Sequence, residues 1–156
     1  IYIKGTIDYF YEYNRTGLKL SPVYMDGKGN YKQKEKEVKS LISQYSNASK
    51  GNKSKVIYCF DCDEYDNKIE DLTFLKTVKK YCDDRGYDFI WFCKDVEQVY
   101  IGKRVDNSQK KNESTKFKKN NLITQVDVHR LSGRDYRKKT SNIMTVLDSY
   151  QELKRK

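Results

Sequence analysis

Residues 56–66 read Val-Ile-Tyr-Cys-Phe-Asp-Cys-Asp-Glu-Tyr-Asp, and this stretch decides the fold class. Its first five residues are continuously apolar, which is typical of a strand buried on both faces of a parallel sheet. The apolar run stops at Asp61, where a series of acidic residues begins. Because parallel strands are joined by long crossovers that are usually helical, we expect a helix on each side of this strand.

The neighbouring segments meet that expectation. Apolar residues recur at three- and four-residue steps over residues 31–46 and 69–83, which predicts two amphipathic helices. Residues 87–93, Tyr-Asp-Phe-Ile-Trp-Phe-Cys, predict a second buried strand, and residues 96–102 predict a short helix after it.

The N-terminal region predicts further alternation of strands and helices. We expect a short strand over residues 1–4, a helix over residues 8–13 and a strand over residues 18–25 that lies near an edge because of Pro22. The sequence therefore predicts an α/β fold with three layers, in which flanking helices cover a mostly parallel four-stranded sheet.

The last third of the chain is predicted to be an extension of this core. Residues 105–121 are almost wholly polar and predict a mobile basic loop, whereas residues 141–153 predict a terminal helix. At 156 residues without a flexible linker, the chain fits one domain. We expect residues 1–104 to form the α/β core, and residues 105–156 to form a basic extension packed on it.

Charge is concentrated in the same extension. Residues 101–156 hold 15 of the 32 Lys and Arg residues but only 6 of the 22 Asp and Glu residues. A localised basic segment attracts polyanions by releasing counterions, which favours DNA or RNA as a partner. The alternative is a solvated lysine-rich surface without a partner. The candidate contacts with nucleic acid are Lys4, His129, Arg130, Arg134, Arg137 and Lys138.

Composition argues against a membrane protein and against a fold held together by structural zinc. No segment approaches the roughly 20 apolar residues that a spanning helix needs, and the N-terminus lacks a signal-peptide pattern. The four cysteines lie in apolar settings, which predicts reduced thiols in the core and a cytoplasmic location rather than zinc or redox chemistry.

The strongest chemical signal is the pair Asp61 and Asp63. Two residues apart in an extended chain, their side chains are expected to face the same way. Carboxylates this close repel unless a cation lies between them, and Mg²⁺ or Mn²⁺ with oxygen ligands suits such a site. The alternative is a solvated acidic turn that precedes a helix N-terminus. The turn Gly27-Lys28-Gly29 is a further candidate for phosphate binding, although it lacks the flanks of a known phosphate-binding motif.

Three motifs occur in a recognisable order. Residues 1–10 read Ile-Tyr-Ile-Lys-Gly-Thr-Ile-Asp-Tyr-Phe, residues 60–64 read Phe-Asp-Cys-Asp-Glu, and residues 90–93, Ile-Trp-Phe-Cys, precede Val-Glu-Gln-Val-Tyr at 96–100. This order resembles the Toprim fold, and in particular the RloB-type Toprim proteins linked to abortive infection and restriction loci. The resemblance covers roughly residues 1–102.

The resemblance implies a metal-dependent nuclease or phosphoryl-transfer protein of a phage-defence or mobile-element system. In such a protein Asp61 and Asp63 hold Mg²⁺, and a glutamate of the first motif acts as general acid or base. Lys4 stands where that glutamate is expected, so the nuclease hypothesis assigns an assisting role to Asp8 and Glu97 instead. The alternative is a catalytically degenerate module that binds nucleic acid, or an inhibitor or subunit that binds a partner protein of the same operon.

Overall fold

The centre of the protein is a three-stranded mixed sheet. The computed structural model describes all residues, 1–156. Strand β2 (Ile57–Asp61) runs parallel to β3 (Asp88–Cys93), and the two-residue strand β4 (Thr140–Ser141) pairs antiparallel with the end of β3. A separate two-stranded sheet joins the ends of the chain, with β1 (Tyr11–Glu12) antiparallel to β5 (Lys154–Arg155).

The α/β class is thus confirmed, but the predicted four-stranded, mostly parallel sheet is wrong. Strands β2 and β3 and the helix between them, α3 (Ile69–Arg85), match their predicted segments closely. Helix α2 (Glu35–Ala48) and the short α4 (Val96–Ile101) also form where the sequence predicts them. Gly86, in the left-handed conformation with φ +68°, ends α3 in the way that glycine commonly ends a helix.

Two hydrophobic cores lie on opposite faces of the main sheet. Side chains of β3 alternate between them: Ile90 and Phe92 enter the first core, and Phe89, Trp91 and Cys93 enter the second. The second core holds the apolar side of α3 and is rich in aromatic rings. A continuously apolar strand fits a sheet that is covered on both faces, which is why this stretch predicted the fold class correctly.

The N-terminal region differs most from the prediction. Residues 1–4 do not form a strand, because helix α1 spans Tyr2–Phe10 and its buried residues Tyr2, Thr6 and Ile7 lie on one helical face. The Tyr2 ring stacks on that of Tyr100 at 5.1 Å. Residues 18–25 form no strand either, and Leu20 and Tyr24 are exposed.

The C-terminal third is ordered rather than a loop with a terminal helix. Residues predicted as a mobile loop contain helix α5 (Lys110–Lys119), anchored by the buried Phe117. Short 3-10 turns follow at Leu122–Gln125 and Val128–Ser132, and the terminal helix α6 covers only Ile143–Leu147. Side chains of this third complete the first core with those of α1.

The cysteines depart from the expectation of four reduced thiols. Cys62 and Cys93 form a disulfide, with their Cα atoms 5.0 Å apart, whereas Cys59 and Cys82 are free. The pairing follows from the parallel sheet, because Cys62 directly follows β2 and Cys93 ends β3 at the same edge. Because two of the four cysteines are paired, the argument from reduced thiols to a cytoplasmic location no longer applies, and that location stays a prediction. No helix of the protein combines the length and the apolar character needed to cross a membrane.

Candidate functional site

The carboxyl ends of β2 and β3 form the edge where chemistry is expected in a parallel sheet. Backbone hydrogen bonds hold the two following turns together. The Cys62 N–H donates to the Phe92 carbonyl at 2.8 Å, and the Asp63 N–H donates to the Lys94 carbonyl at 2.8 Å. The acidic stretch after β2 and the Lys94-Asp95 turn after β3 therefore lie side by side.

Asp61 and Asp63 contact different partners at this edge. The Asp61 Oδ1 accepts a hydrogen bond of 2.9 Å from the Val96 N–H at the start of α4. The Asp63 Oδ2 lies 2.5 Å from the Lys28 Nζ. The prediction of a shared orientation assumed an extended chain, but β2 ends at Asp61 and Asp63 has a left-handed backbone with φ +49°. Alternation of side chains therefore does not continue to Asp63.

Lys28 belongs to an internal ion-pair cluster rather than to a free phosphate-binding turn. Its Nζ also lies 3.4 Å from the Asp71 Oδ1 and 4.9 Å from the centre of the Phe74 ring. Burial alone would lower the pKa of Lys28, but the hydrogen bond and charge of Asp63 and the charge of Asp71 outweigh it and raise the pKa. The Gly27-Lys28-Gly29 turn thus neutralises the acidic strand end.

Asp61 has acidic neighbours of its own. Burial raises the pKa of Asp61 to about 7, the charges of Asp95 and Glu97 add to this effect, and the Val96 hydrogen bond and Lys110 oppose it. Asp95 caps α4, because its Oδ1 accepts from the Gln98 N–H at 2.9 Å. Three carboxyl groups therefore converge beside the end of β2.

Lys110 is the cation that faces these carboxylates. Its Nζ lies 3.0 Å from the Glu97 Oε2 and 3.8 Å from the Asp95 Oδ2, and only 8% of the Glu97 side chain is exposed. Burial alone would lower the pKa of Lys110, but the Glu97 hydrogen bond and the surrounding negative charge raise it. Lys110 thus pairs with two of the three carboxyl groups.

The residues as arranged do not fit the Mg²⁺ or Mn²⁺ ion that the resemblance implies. No group of three or more acidic, histidine or cysteine side chains has the arrangement of a metal site. Lysine ammonium groups already bind the carboxylates of Asp63 and Glu97. A lysine cannot ligate a hard divalent cation, and it competes with one for the same oxygens.

A polar crevice opens over this strand edge. Its volume is about 460 Å³, and most of its lining residues are charged. Four are acidic and four are basic: Asp63, Glu64, Asp95, Asp106, Lys94, Arg104, Lys110 and Lys138. Lys94 pairs with Glu64 at 2.8 Å and with Asp66 at 3.1 Å. The charges that line the crevice are thus balanced in number. Unpaired positive charge near the crevice comes from the residues around its opening, here called the rim.

The rim is a basic loop held rigidly at the end of β3. Residues 134–139 expose four cationic side chains, those of Arg134, Arg137, Lys138 and Lys139. The loop is anchored by the half-buried Tyr136, whose ring packs edge-on against Trp91 at 5.2 Å and Tyr65 at 5.9 Å. The Lys139 N–H donates to the Cys93 carbonyl at 2.5 Å. Within residues 101–156 only Lys110, Lys116, Lys138 and Arg155 form ion pairs, so most of these charges are free.

The remaining residues that the sequence predicts for the site lie partly beside the crevice and partly elsewhere on the protein. Glu97 lies beside the crevice, where it pairs with Lys110. Lys4 and Asp8 instead pair with each other on α1, and the Asp8 Oδ1 accepts from the Tyr13 hydroxyl at 2.6 Å. Neither residue lines the crevice. His129 is exposed on a 3-10 turn, and Arg130 on the same turn lines a second cavity.

Sequence reasoning missed Asp95, Lys94, Arg104 and Lys110. Asp95 follows β3 much as Asp61 ends β2, so the strand-end argument applied to Asp61 predicts Asp95 equally well. Lys110 had no such signal, because its segment reads as a polar loop.

No family model matches the chain, and the searches of curated proteins and of solved structures found no match. The resemblance to Toprim proteins thus rests on the three quoted motifs and stays a prediction.

Proposed function

We propose that the protein binds the sugar-phosphate backbone of nucleic acid along the basic rim of the crevice. The observation that carries this proposal is the loop at residues 134–139, where four exposed cations sit on a backbone fixed by Tyr136 and by the end of β3. Arg104 adds a further exposed cation at the crevice itself. Cations held on a rigid loop bind phosphates with less loss of side-chain and backbone freedom than cations on a flexible segment.

The charge distribution supports a polyanion rather than a single anion. A small anion needs a few convergent donors, whereas these cations spread along the loop, and of the four only Lys138 forms an ion pair, a long one of 3.9 Å to Asp66. Phosphate contacts of this kind position a nucleic acid without reading its sequence. The proposal therefore specifies backbone binding, and base preference is outside it.

The test is fluorescence anisotropy with a labelled 20-nucleotide single strand and a 20-base-pair duplex at low salt. Arg137→Ala combined with Lys138→Ala removes two rim charges and should weaken binding by about tenfold or more, since each lost phosphate contact removes a released counterion. The control is Lys53→Ala combined with Lys55→Ala, which removes two exposed lysines just before β2, at the opposite end of that strand. Equal affinities for the two double variants would overturn the proposal.

A second candidate is the metal-dependent nuclease that the resemblance implies. The observation in its favour is that Asp61 lies next to the start of α4, where the Val96 N–H donates to it, and that Lys110 pairs with both Asp95 and Glu97 on either side of Val96. The observation against it is that lysines neutralise this region. The protein should be incubated with supercoiled plasmid and with RNA in Mg²⁺ or Mn²⁺. Cleavage that Asp61→Asn abolishes and Asp83→Asn preserves would support this candidate, and absence of cleavage would reject it.

A further inference from the structure

A second cavity borders α4 and shares no lining residue with the acidic crevice. Its volume is about 250 Å³, and six of its nine lining residues are apolar. They come from α4, from α5, and from the 3-10 turn at Leu122–Gln125 with the residue that follows it: Val99, Tyr100, Ile101, Phe117, Leu122 and Val126. The polar lining residues are Gln125, Asp127 and Arg130. The cavity thus combines an apolar interior with a small set of polar groups, the usual pattern of a ligand site.

We propose that this cavity takes one unstacked base from a single-stranded nucleic acid whose backbone lies on the basic rim. The inference rests on the proposed function and adds the class of nucleic acid and the place of base contact. Size supports it, because 250 Å³ is below the roughly 300–1,000 Å³ typical of sites for drug-sized ligands and suits a single planar ring system.

The chemistry of the lining fits a base. Aromatic rings stack on any base. Tyr100 and Phe117 line the cavity with rings that are 6% and 3% exposed and that also pack against Tyr2. The Tyr100 hydroxyl is hydrogen-bonded to Thr6, so this residue offers its ring rather than its polar end. Gln125 carries both a donor and an acceptor, and both types of group occur on the edges of bases.

Arg130 supplies the positive charge that an attached phosphate needs. It is exposed and forms no ion pair with Asp127, whose Oδ1 accepts instead from the His129 N–H at 2.9 Å. The guanidinium lies against Gly102, where an added Cβ would be 3.5 Å from the Arg130 Nη1. Gly102 ends α4 with φ +84°, and Arg104 of the crevice follows two residues later.

The cavity and the crevice are therefore neighbours along the chain. The segment from residue 98 to residue 110 gives Gln98, Arg104 and Lys110 to the crevice and Val99, Tyr100 and Ile101 to the cavity. The proposal requires one strand to reach from Arg104 at the crevice to Arg130 at the cavity. Only an unpaired strand can turn a base into a cavity without first breaking base pairs, so the geometry favours single strands over duplexes.

The experiment compares two labelled 12-nucleotide probes with the same number of phosphates, oligo(dT) and an abasic oligomer. Binding to the cavity predicts that the wild type prefers oligo(dT) by roughly 5- to 100-fold, the range expected for one stacked base. Val126→Phe fills the cavity and should remove this preference while leaving affinity for the abasic probe unchanged. Gln125→Ala, at an exposed position, should reduce the preference, and it serves as a second variant if Val126→Phe unfolds.

Thr124→Ala is the matched control, because Thr124 is exposed on the same turn as Gln125 and does not line the cavity. It should retain the full preference. Equal binding of both probes by the wild type would overturn this inference and leave backbone binding intact, whereas binding of neither probe would overturn the proposed function. Duplex DNA binding as tightly as oligo(dT), or free thymidine monophosphate binding as tightly as the oligomer, would also overturn the inference.

Discussion

Asp61→Asn is predicted to stabilise the protein at neutral pH. The pKa of Asp61 is about 7 in the folded protein, against an ordinary value of 3.8, because the carboxyl group is buried beside Asp95 and Glu97. The two values are separated by about three pH units, and each unit corresponds to 1.36 kcal/mol. The ionised form of Asp61 thus costs the folded state about 4 kcal/mol above pH 7.

The pH dependence has a definite sign. Between about pH 4 and pH 7 the folded protein keeps a proton on Asp61 that the unfolded chain has lost, so the free energy of unfolding falls by about 1.4 kcal/mol per pH unit. Above pH 7 both states are ionised at this position and the loss is complete. Asparagine stays neutral throughout, and its Oδ1 can still accept from the Val96 N–H.

The assay is urea unfolding of both proteins at pH 4, 5, 6, 7 and 8, followed by circular dichroism without reductant. The difference between variant and wild type should be near zero at pH 4 and reach about 4 kcal/mol in favour of the variant at pH 8. Asp83→Asn is the control, because Asp83 is an exposed helix residue paired with Lys79 and should change stability by less than about 0.5 kcal/mol at every pH. Parallel stability curves for Asp61→Asn and wild type would refute the reasoning.

Three further predictions concern the elements around the site. Lys110→Gln leaves Glu97 buried without its cation and should lower the free energy of unfolding at pH 7 by about 1–3 kcal/mol. The control, Lys116→Gln on the same helix, should change it by less than about 0.5 kcal/mol. Equal losses in the two variants would contradict a stabilising Lys110–Glu97 pair. Gly133→Ala should destabilise by about 1–3 kcal/mol in urea, because its Cβ would meet the Trp91 ring at 2.9 Å and the Ser141 carbonyl at 3.3 Å. Gly29→Ala is the control, because no atom lies within 4 Å of the added Cβ. An equally large loss of stability in this variant would contradict close packing of Gly133 against Trp91 and Ser141. Lys4→Glu should produce no cleavage of plasmid or RNA with Mg²⁺, because Lys4 lies on α1 away from the crevice. The loss of its ion pair with Asp8 should lower the free energy of unfolding by about 0.5 kcal/mol. Cleavage by this variant would place Lys4 at the site.

The centre of the fold could be predicted because its signals are local. The strands at 57–61 and 88–93 are continuously apolar, and the helix between them has regular apolar spacing and a terminal glycine. The N-terminal helix could not be predicted, because residues 1–4 favour a strand by composition. Contacts distant in sequence decide otherwise, since Tyr2 stacks on Tyr100 and Thr6 bonds to the Tyr100 hydroxyl.

The candidate site was predictable only in part, for the same reason. Its location at the strand end follows from the parallel pairing of β2 and β3, and the acidic residues after β2 are visible in sequence. The partners of those acids come from distant segments: Lys28 lies 35 residues before Asp63, and Lys110 belongs to a helix with one buried apolar residue, Phe117. A single anchor gives no periodicity, so the sequence of α5 predicts a loop rather than a helix.

The salt dependence of nucleic-acid binding tests the central claim most directly. If the rim cations contact about four or five phosphates of a single strand, log K for a 20-nucleotide probe should fall with log salt concentration with a slope of about −3 to −3.5. Arg137→Ala with Lys138→Ala should make that slope shallower by about 1.4, and Lys53→Ala with Lys55→Ala should leave it unchanged. A flat salt response in the wild type, or the same slope in both double variants, would contradict the account.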